Sequence, residues 1–209
     1  MRKKWILLIL SVALISGGIW FSSTSLYQLS KGYLMFKFGS EKTFTKTNEK
    51  VQATDHAKES GKKNNLPLYQ VRPKIGEQMG ELRIPKLDAA LPIYHGTNED
   101  ELEKGVGHFA DSVLPGEKDN SVLSGHRDTV FRKLGEVGKG DLLVVETTAG
   151  TFTYKVRKVR IVDKDDRSVI VSMPRATLTV STCYPFTFVG AAPDRYVLVA
   201  YLVKSELNQ

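Results

Sequence analysis

Between residue 66 and the C-terminus, apolar and polar side chains alternate in short runs separated by glycine, proline and acidic residues. A period of two marks strands with one buried face. The runs lie at 81–84, 89–94, 121–124, 142–147, 151–162, 178–182 and 195–203, and Ala149-Gly150 between two of them signals a hairpin turn. Helical spacing is confined to 99–104 and 130–136. Many short strands at this spacing predict an all-β sandwich or barrel, and 66–209 is of a size to form it as one domain.

The first third of the chain follows another pattern. Met1-Arg-Lys-Lys precedes an apolar run from Trp5 to Phe21, and no charge appears until Lys31. A helix over 5–21 rises about 26 Å at about 1.5 Å per residue, and continuing to Tyr27 takes it past a hydrocarbon core of about 30 Å. The expectation is a transmembrane anchor at 5–27 with 1–4 on the cytoplasmic side, which places everything after it outside the cell. A cleaved signal peptide has the same basic start and apolar middle. Against it, no Ala-x-Ala-like site follows, and Trp5, Trp20 and Tyr27 flank the run like interface residues. Residues 28–65 form the expected extracellular tether. Its 39–65 part is polar and lysine-rich, with too few large apolar groups to offset the entropy of ordering. Within 26–38, Tyr33, Leu34, Met35, Phe36 and Phe38 either extend the helix or lie in the interface.

Charge adds little about partners. The formal net charge is +7, but much of the excess sits in the basic N-terminus and the tether, and no aromatic-basic motif of a nucleic-acid module is present. The balance suits anionic surroundings such as a membrane surface or wall polymer. Cysteine usage says more. A single cysteine, Cys183, excludes an internal disulfide, and a free thiol outside the cell is a liability unless it is used.

Cys183 ends the run Thr177-Leu-Thr-Val-Ser-Thr-Cys183, where a strand meets a polar loop. Taken alone, a lone cysteine is as readily a small buried hydrophobe. Two other strands also carry chemistry at one end: Asn120-Ser-Val-Leu-Ser-Gly-His126 finishes on an imidazole, and Arg195 opens the run to Val203. If the three strands lie side by side, thiol, imidazole and guanidinium meet.

The order His126, Thr179-Val180-Ser181-Thr182-Cys183, Arg195 resembles the sortases, surface transpeptidases of Gram-positive bacteria, whose Thr-Leu-x-Thr-Cys signature it matches with valine in place of leucine. The resemblance spans roughly 79–203, including Gly80-Glu-Leu-Arg-Ile-Pro85, Leu91-Pro-Ile-Tyr-His-Gly96 and Gly105-Val-Gly-His-Phe-Ala110. It implies an eight-stranded β-barrel over 66–209 and a cysteine transpeptidase, also a thiol protease of the hydrolase class, which cleaves a Leu-Pro-x-Thr-Gly-like sorting signal between Thr and the next residue. The acyl group would pass through a thioacyl-enzyme to a peptidoglycan-precursor amine, fixing a surface protein to the cell wall. With no second apolar span near the C-terminus, the resemblance is to the class D or housekeeping-like type rather than the pilus-assembling one.

By the same resemblance Cys183 is the nucleophile, His126 the acid and base, and Arg195 the donor to an oxyanion or to substrate backbone. For Arg195 an ordinary ion pair with Asp194 is the alternative. Thr182, Val169, Ile170 and Tyr184 are the expected substrate contacts, although core packing explains the apolar ones equally well. Asp111, Glu117 and Asp119 are read as solvated carboxylates, and no metal or cofactor is assigned. The expected partners are sorting-signal proteins, the precursor amine and the cytoplasmic membrane, with no nucleic acid. Papain-like peptidases place cysteine before histidine, and L,D-transpeptidases place the two in one short motif. A non-enzymatic anchored binding domain remains open, since it needs no thiol.

Overall fold

The computed structural model describes residues 15–16, 67–187, 190 and 192–208. The expected segments 1–4, 5–27 and 28–65 therefore lie outside the described residues apart from Ile15 and Ser16. Among the described residues no helix is long and apolar enough to cross a membrane.

Eight strands form: β1 (Gln78–Ile84), β2 (Ala89–His95), β3 (Val106–His108), β4 (Asn120–Ser124), β5 (Leu142–Thr147), β6 (Gly150–Asp163), β7 (Thr177–Tyr184) and β8 (Asp194–Leu207). They close into a barrel in the order β1-β2-β3-β4-β7-β8-β6-β5, with β5 returning to pair β1. Closure leaves the sheet without the open edges that a sandwich exposes.

Alternation along the strands fills the barrel. Leu82 and Ile84 of β1, Leu91 and Ile93 of β2, Leu143 and Val145 of β5, Phe152 and Tyr154 of β6, Leu178 and Val180 of β7 and Leu198 of β8 all belong to one core. Each fully buried aliphatic or Phe side chain contributes about 1.5–3 kcal/mol. Tyr154 keeps its hydroxyl inside by accepting from the Gly116 amide at 2.6 Å, and burial pushes that phenol well above its ordinary pKa.

The strand absent from the sequence expectations is β3. It has three residues, all buried, and pairs parallel with β2 and antiparallel with β4. Of the expected helices, 99–104 shortens to α1 (Glu99–Leu102), at whose start Glu101 accepts from the Asn98 amide at 2.9 Å. The apolar spacing at 130–136 gives only a 3-10 turn, Leu134–Glu136. Phe131 and Leu134 reach the core without a helix, and Gly135 leaves a notch filled by the Phe186 ring, which a Cβ there would meet at 2.6 Å.

Strands β6 and β7 both flank β8 antiparallel, so the chain between them, 164–176, must run back along the barrel. It lies on the outer wall, where Val169 packs with Val162, Val197 and Val199, and Met173 closes over them. Polar bonds fasten it. Asn120 Nδ2 donates to the carbonyls of Val169 and Val171 at 3.3 and 3.1 Å. The Asp119 carboxylate accepts from the Met173 amide at 2.6 Å and the Ser172 hydroxyl at 2.9 Å, bonds that hold it below the usual carboxylate range.

Candidate active site

Two pairings bring the three strand ends together. β7 runs parallel to β4 in a register that sets Ser124 opposite Ser181, and the ladder ends with the Gly125 amide donating to the Ser181 carbonyl at 3.3 Å. His126 and Cys183 are thus each two residues beyond one registered pair. On its other side β7 runs antiparallel to β8, with Cys183 directly opposite Arg195.

The faces agree as well. Leu178 and Val180 on β7, and Tyr196, Leu198 and Ala200 on β8, point into the core, so a period of two turns Ser181, Cys183 and Arg195 to the outer wall. Cys183 is half-buried with a free thiol. Registered partners on one face have Cβ atoms about 5 Å apart, close enough for Arg195 to act beside the sulfur.

His126 is held by a turn that its own carbonyl closes, accepting from the amides of Thr129 at 3.4 Å and Phe131 at 3.1 Å. Phe131 is buried and anchors that turn. Gly125 is required for it, since a Cβ there would sit 2.7 Å from the Phe131 ring. The imidazole is 36 % exposed, and its Nε2 lies 3.2 Å from Glu99 Oε1 of α1. This Nε2 is covered yet makes no directed hydrogen bond. The contact is therefore one of proximity, and with Glu99 71 % exposed, water screens it.

The guanidinium of Arg195 donates from Nη1 to the backbone carbonyls of Asp194 at 3.0 Å and Ala192 at 3.3 Å. Among the described residues it pairs with no carboxylate, which argues against the ion-pair alternative with Asp194. Among the described residues its Nε and Nη2 make no side-chain hydrogen bond, and a planar fork of donors is the kind of group that suits stabilisation of a negative charge.

The expected substrate contacts divide. Ile170 is 48 % exposed beside Val171, and Tyr184 is partly exposed, its ring against Phe186 and Tyr196. Val169 and Thr182 are placed differently from expectation. Val169 is buried in the outer-wall valine cluster, because the crossover turns this residue inward to seat itself. Thr182 is buried on the core side, and its hydroxyl donates to the Gly125 carbonyl at 2.8 Å. Its role is to join β7 to the end of β4.

Glu99 and Arg127 lie at the site without having been expected there. Both are charged residues in polar stretches, and nothing in such a pattern separates a side chain facing the site from a solvated one. Among the described residues no group of three or more His, Cys, Asp or Glu side chains is placed to hold a metal ion. Glu117 is engaged by Arg72 and the Leu114 amide, and Asp119 by the crossover.

A thiol, an imidazole and a guanidinium that pairs with no carboxylate among the described residues, brought together at the strand ends of a closed barrel, form the constellation of a cysteine acyl-transfer enzyme. The comparisons agree. Residues 82–203 match the family model for the sortase domain. The chain is 44 % identical over 186 residues to sortase D of Bacillus subtilis, covering 83 % of this chain and 94 % of that protein. The catalytic domain of sortase D from B. anthracis superposes with a TM-score of 0.56 at 42 % identity, over 68 % of this chain and 97 % of that domain. A sortase D5 transpeptidase from Clostridium perfringens superposes with a TM-score of 0.58 at 28 % identity, over 64 % and 83 % of the two chains. This chain therefore belongs to the sortase family of cysteine transpeptidases and is of the class D-like type.

Proposed function

We propose that this sortase cleaves a Leu-Pro-x-Thr-Gly-like sorting signal after the threonine and transfers the acyl group to an amine of peptidoglycan precursor, acting from a membrane anchor at 5–27 with its barrel outside the cell. The carrying observation is the direct register of Cys183 with Arg195, flanked by the His126 turn across the parallel β4–β7 pair.

The chemistry follows from those positions. The Cys183 thiolate attacks the threonine carbonyl, and the oxygen that gains charge faces the Arg195 fork. As the C–N bond breaks, the His126 imidazolium gives its proton to the departing amine, leaving a thioester. The incoming amine attacks that thioester, returns a proton to His126 and expels Cys183 as thiolate. Where no amine arrives, water takes its place and the outcome is hydrolysis. Splitting one amide exchange into two steps around a good leaving group lowers both barriers.

The signal would lie extended on the outer wall. Four residues reach about 13 Å at about 3.3 Å each, the length of β7 from half-buried Cys183 past half-buried Ser181 back to Thr179, which is buried.

Mass spectrometry of the fragment 66–209 with a library of Leu-Pro-x-Thr-Gly peptides and candidate amines tests the reading. The expected products are a thioester on Cys183 and a new amide after threonine. Cys183→Ala should remove both while leaving the fold intact, since this side chain stands on the outer wall and not in the core. A folded alanine protein that still transfers peptide overturns the proposal.

A further inference from the structure

Arg127 follows His126 directly and is 5 % exposed. A buried guanidinium is costly unless its donors are satisfied, and the partners here are informative. Nε and Nη2 hold the two carboxylate oxygens of the next residue, Asp128, at 3.1 and 3.2 Å. Nη1 reaches across to the carbonyl of Pro185 at 2.7 Å.

Pro185 lies two residues after Cys183. The cation thus joins the segment carrying the imidazole to the segment carrying the thiol. It does so beyond the end of the regular pairing, where β4 and β7 have already made their last ladder bond at Gly125 and Ser181. Past that point these two segments are tied by the Pro185 carbonyl and by the Phe186 ring seated in the notch at Gly135. Asp128, 74 % exposed, holds the fork of Arg127 in a fixed plane from the solvent side.

We propose that Arg127 is a positioning residue, which sets the working separation of His126 and Cys183 by clasping the chain after each. The proposal rests on the reading of those two as the reacting pair. Arg127 itself needs no contact with substrate. Proton transfer depends steeply on this separation, and a misplacement of about 1 Å costs on the order of 10²-fold in rate. Binding of the peptide on the outer wall does not involve the clasp, so the loss should fall on kcat and not on KM.

The test uses the full chain with the best peptide and amine from the library above, and compares Arg127→Met, Arg127→Lys and Cys183→Ala. Rates are taken per titratable thiol for wild type and the Arg127 variants and per folded protein for Cys183→Ala, well below each melting temperature. Arg127→Met keeps length but no donor, and its kcat should fall by at least about tenfold with KM within about twofold. Arg127→Lys keeps the charge and one directed donor without the fork, and should fall between, about threefold to tenfold below wild type. A merely structural role lowers the melting temperature yet leaves kcat per thiol unchanged. That result in the methionine protein overturns the proposal, as does a loss confined to KM. Lysine turning over at the wild-type rate overturns it whatever the methionine protein does, including failure to fold. If Cys183→Ala still transfers peptide, the reading of the thiol fails and the clasp with it. If Cys183→Ala is inert while Arg127→Met is fully active, Arg127 alone loses its role.

Discussion

The Thr182 hydroxyl donates to the Gly125 carbonyl across 2.8 Å, so the residue before the thiol is fastened to the residue before the imidazole. The bond is buried, and losing it leaves an orphaned carbonyl at a cost of about 1–3 kcal/mol. Thr182→Val should therefore lower both the melting temperature and kcat, the latter by about tenfold if the strand ends move apart. Thr182→Ser retains the hydroxyl and should stay within about threefold of wild type in a peptide-transfer assay, given that misplacement is what costs rate. A loss in serine as large as that in valine would show that the hydroxyl bond alone does not carry the effect.

Arg195→Lys separates directed donation from mere charge. Arg195 stands opposite Cys183 in the β7–β8 register and pairs with no carboxylate among the described residues. Removing one such donor typically costs about 10²- to 10³-fold in rate, so lysine should lose most of the turnover while thermal melts hardly change. If lysine keeps more than about half of wild-type kcat, the guanidinium acts only as a charge.

Glu99 offers the opposite expectation. It stands 3.2 Å from His126 Nε2 but is largely exposed and makes no directed bond. Exposed pairs of this kind contribute about 0–1 kcal/mol, so Glu99→Gln should alter kcat by less than about fivefold. A larger loss in steady-state kinetics would show that the carboxylate holds the ring.

Acid should weaken the domain through a histidine outside the site. Nδ1 of His108 meets Nδ1 of His95 at 3.0 Å, and the rings stack. Burial above all holds His108 down to about 4 and lowers His95 too, with Arg72 pressing the same way on both and Glu77 opposing it at His95. An unfolded histidine titrates near 6.5. Stability from the neutral pair is complete above that pH. It declines as pH falls, because the unfolded chain takes protons that folded His108 refuses, and by pH 4 the decline approaches about 3 kcal/mol. Asp119, Asp141 and Asp166, each held low by hydrogen bonds, act with the same sign but only below the ordinary carboxylate range. Urea midpoints between pH 7 and 4.5 should drop in wild type and drop less in His108→Gln. Parallel curves would remove the pair from the account.

Seven of the eight strands were legible because each runs for at least four residues: β1, β2, β5 and β6 alternate about one core face, while β4, β7 and β8, buried on both faces over much of their length, show as apolar and β-branched runs. β3 was not. Three residues with a central glycine carry no period, and their pairing comes from neighbours on both sides. The thiol, imidazole and guanidinium were legible as types at strand ends, and resemblance supplied their expected roles. Their convergence depends on β4 lying parallel to β7, a contact between segments far apart in the chain that no local pattern encodes. Burial within the crossover was equally hidden: Val169 and Ile170 are adjacent and similar, yet one seats the loop and the other faces water. Arg127 escaped notice because a charged pair in a polar loop looks the same whether solvated or enclosed.

The order in which the ribosome supplies these strands has a consequence for timing. The thiol is made before β8, and β8 brings Arg195 together with the ladder that unites β6 and β7. A chain stopped before Asp194 has a nucleophile but neither its cationic neighbour nor a closed barrel to hold it opposite the imidazole. Competence for acyl transfer therefore arrives in a single late event, when the last strand docks. Until then Cys183 lacks both the strand that sets Arg195 opposite it and the closed wall on which it stands.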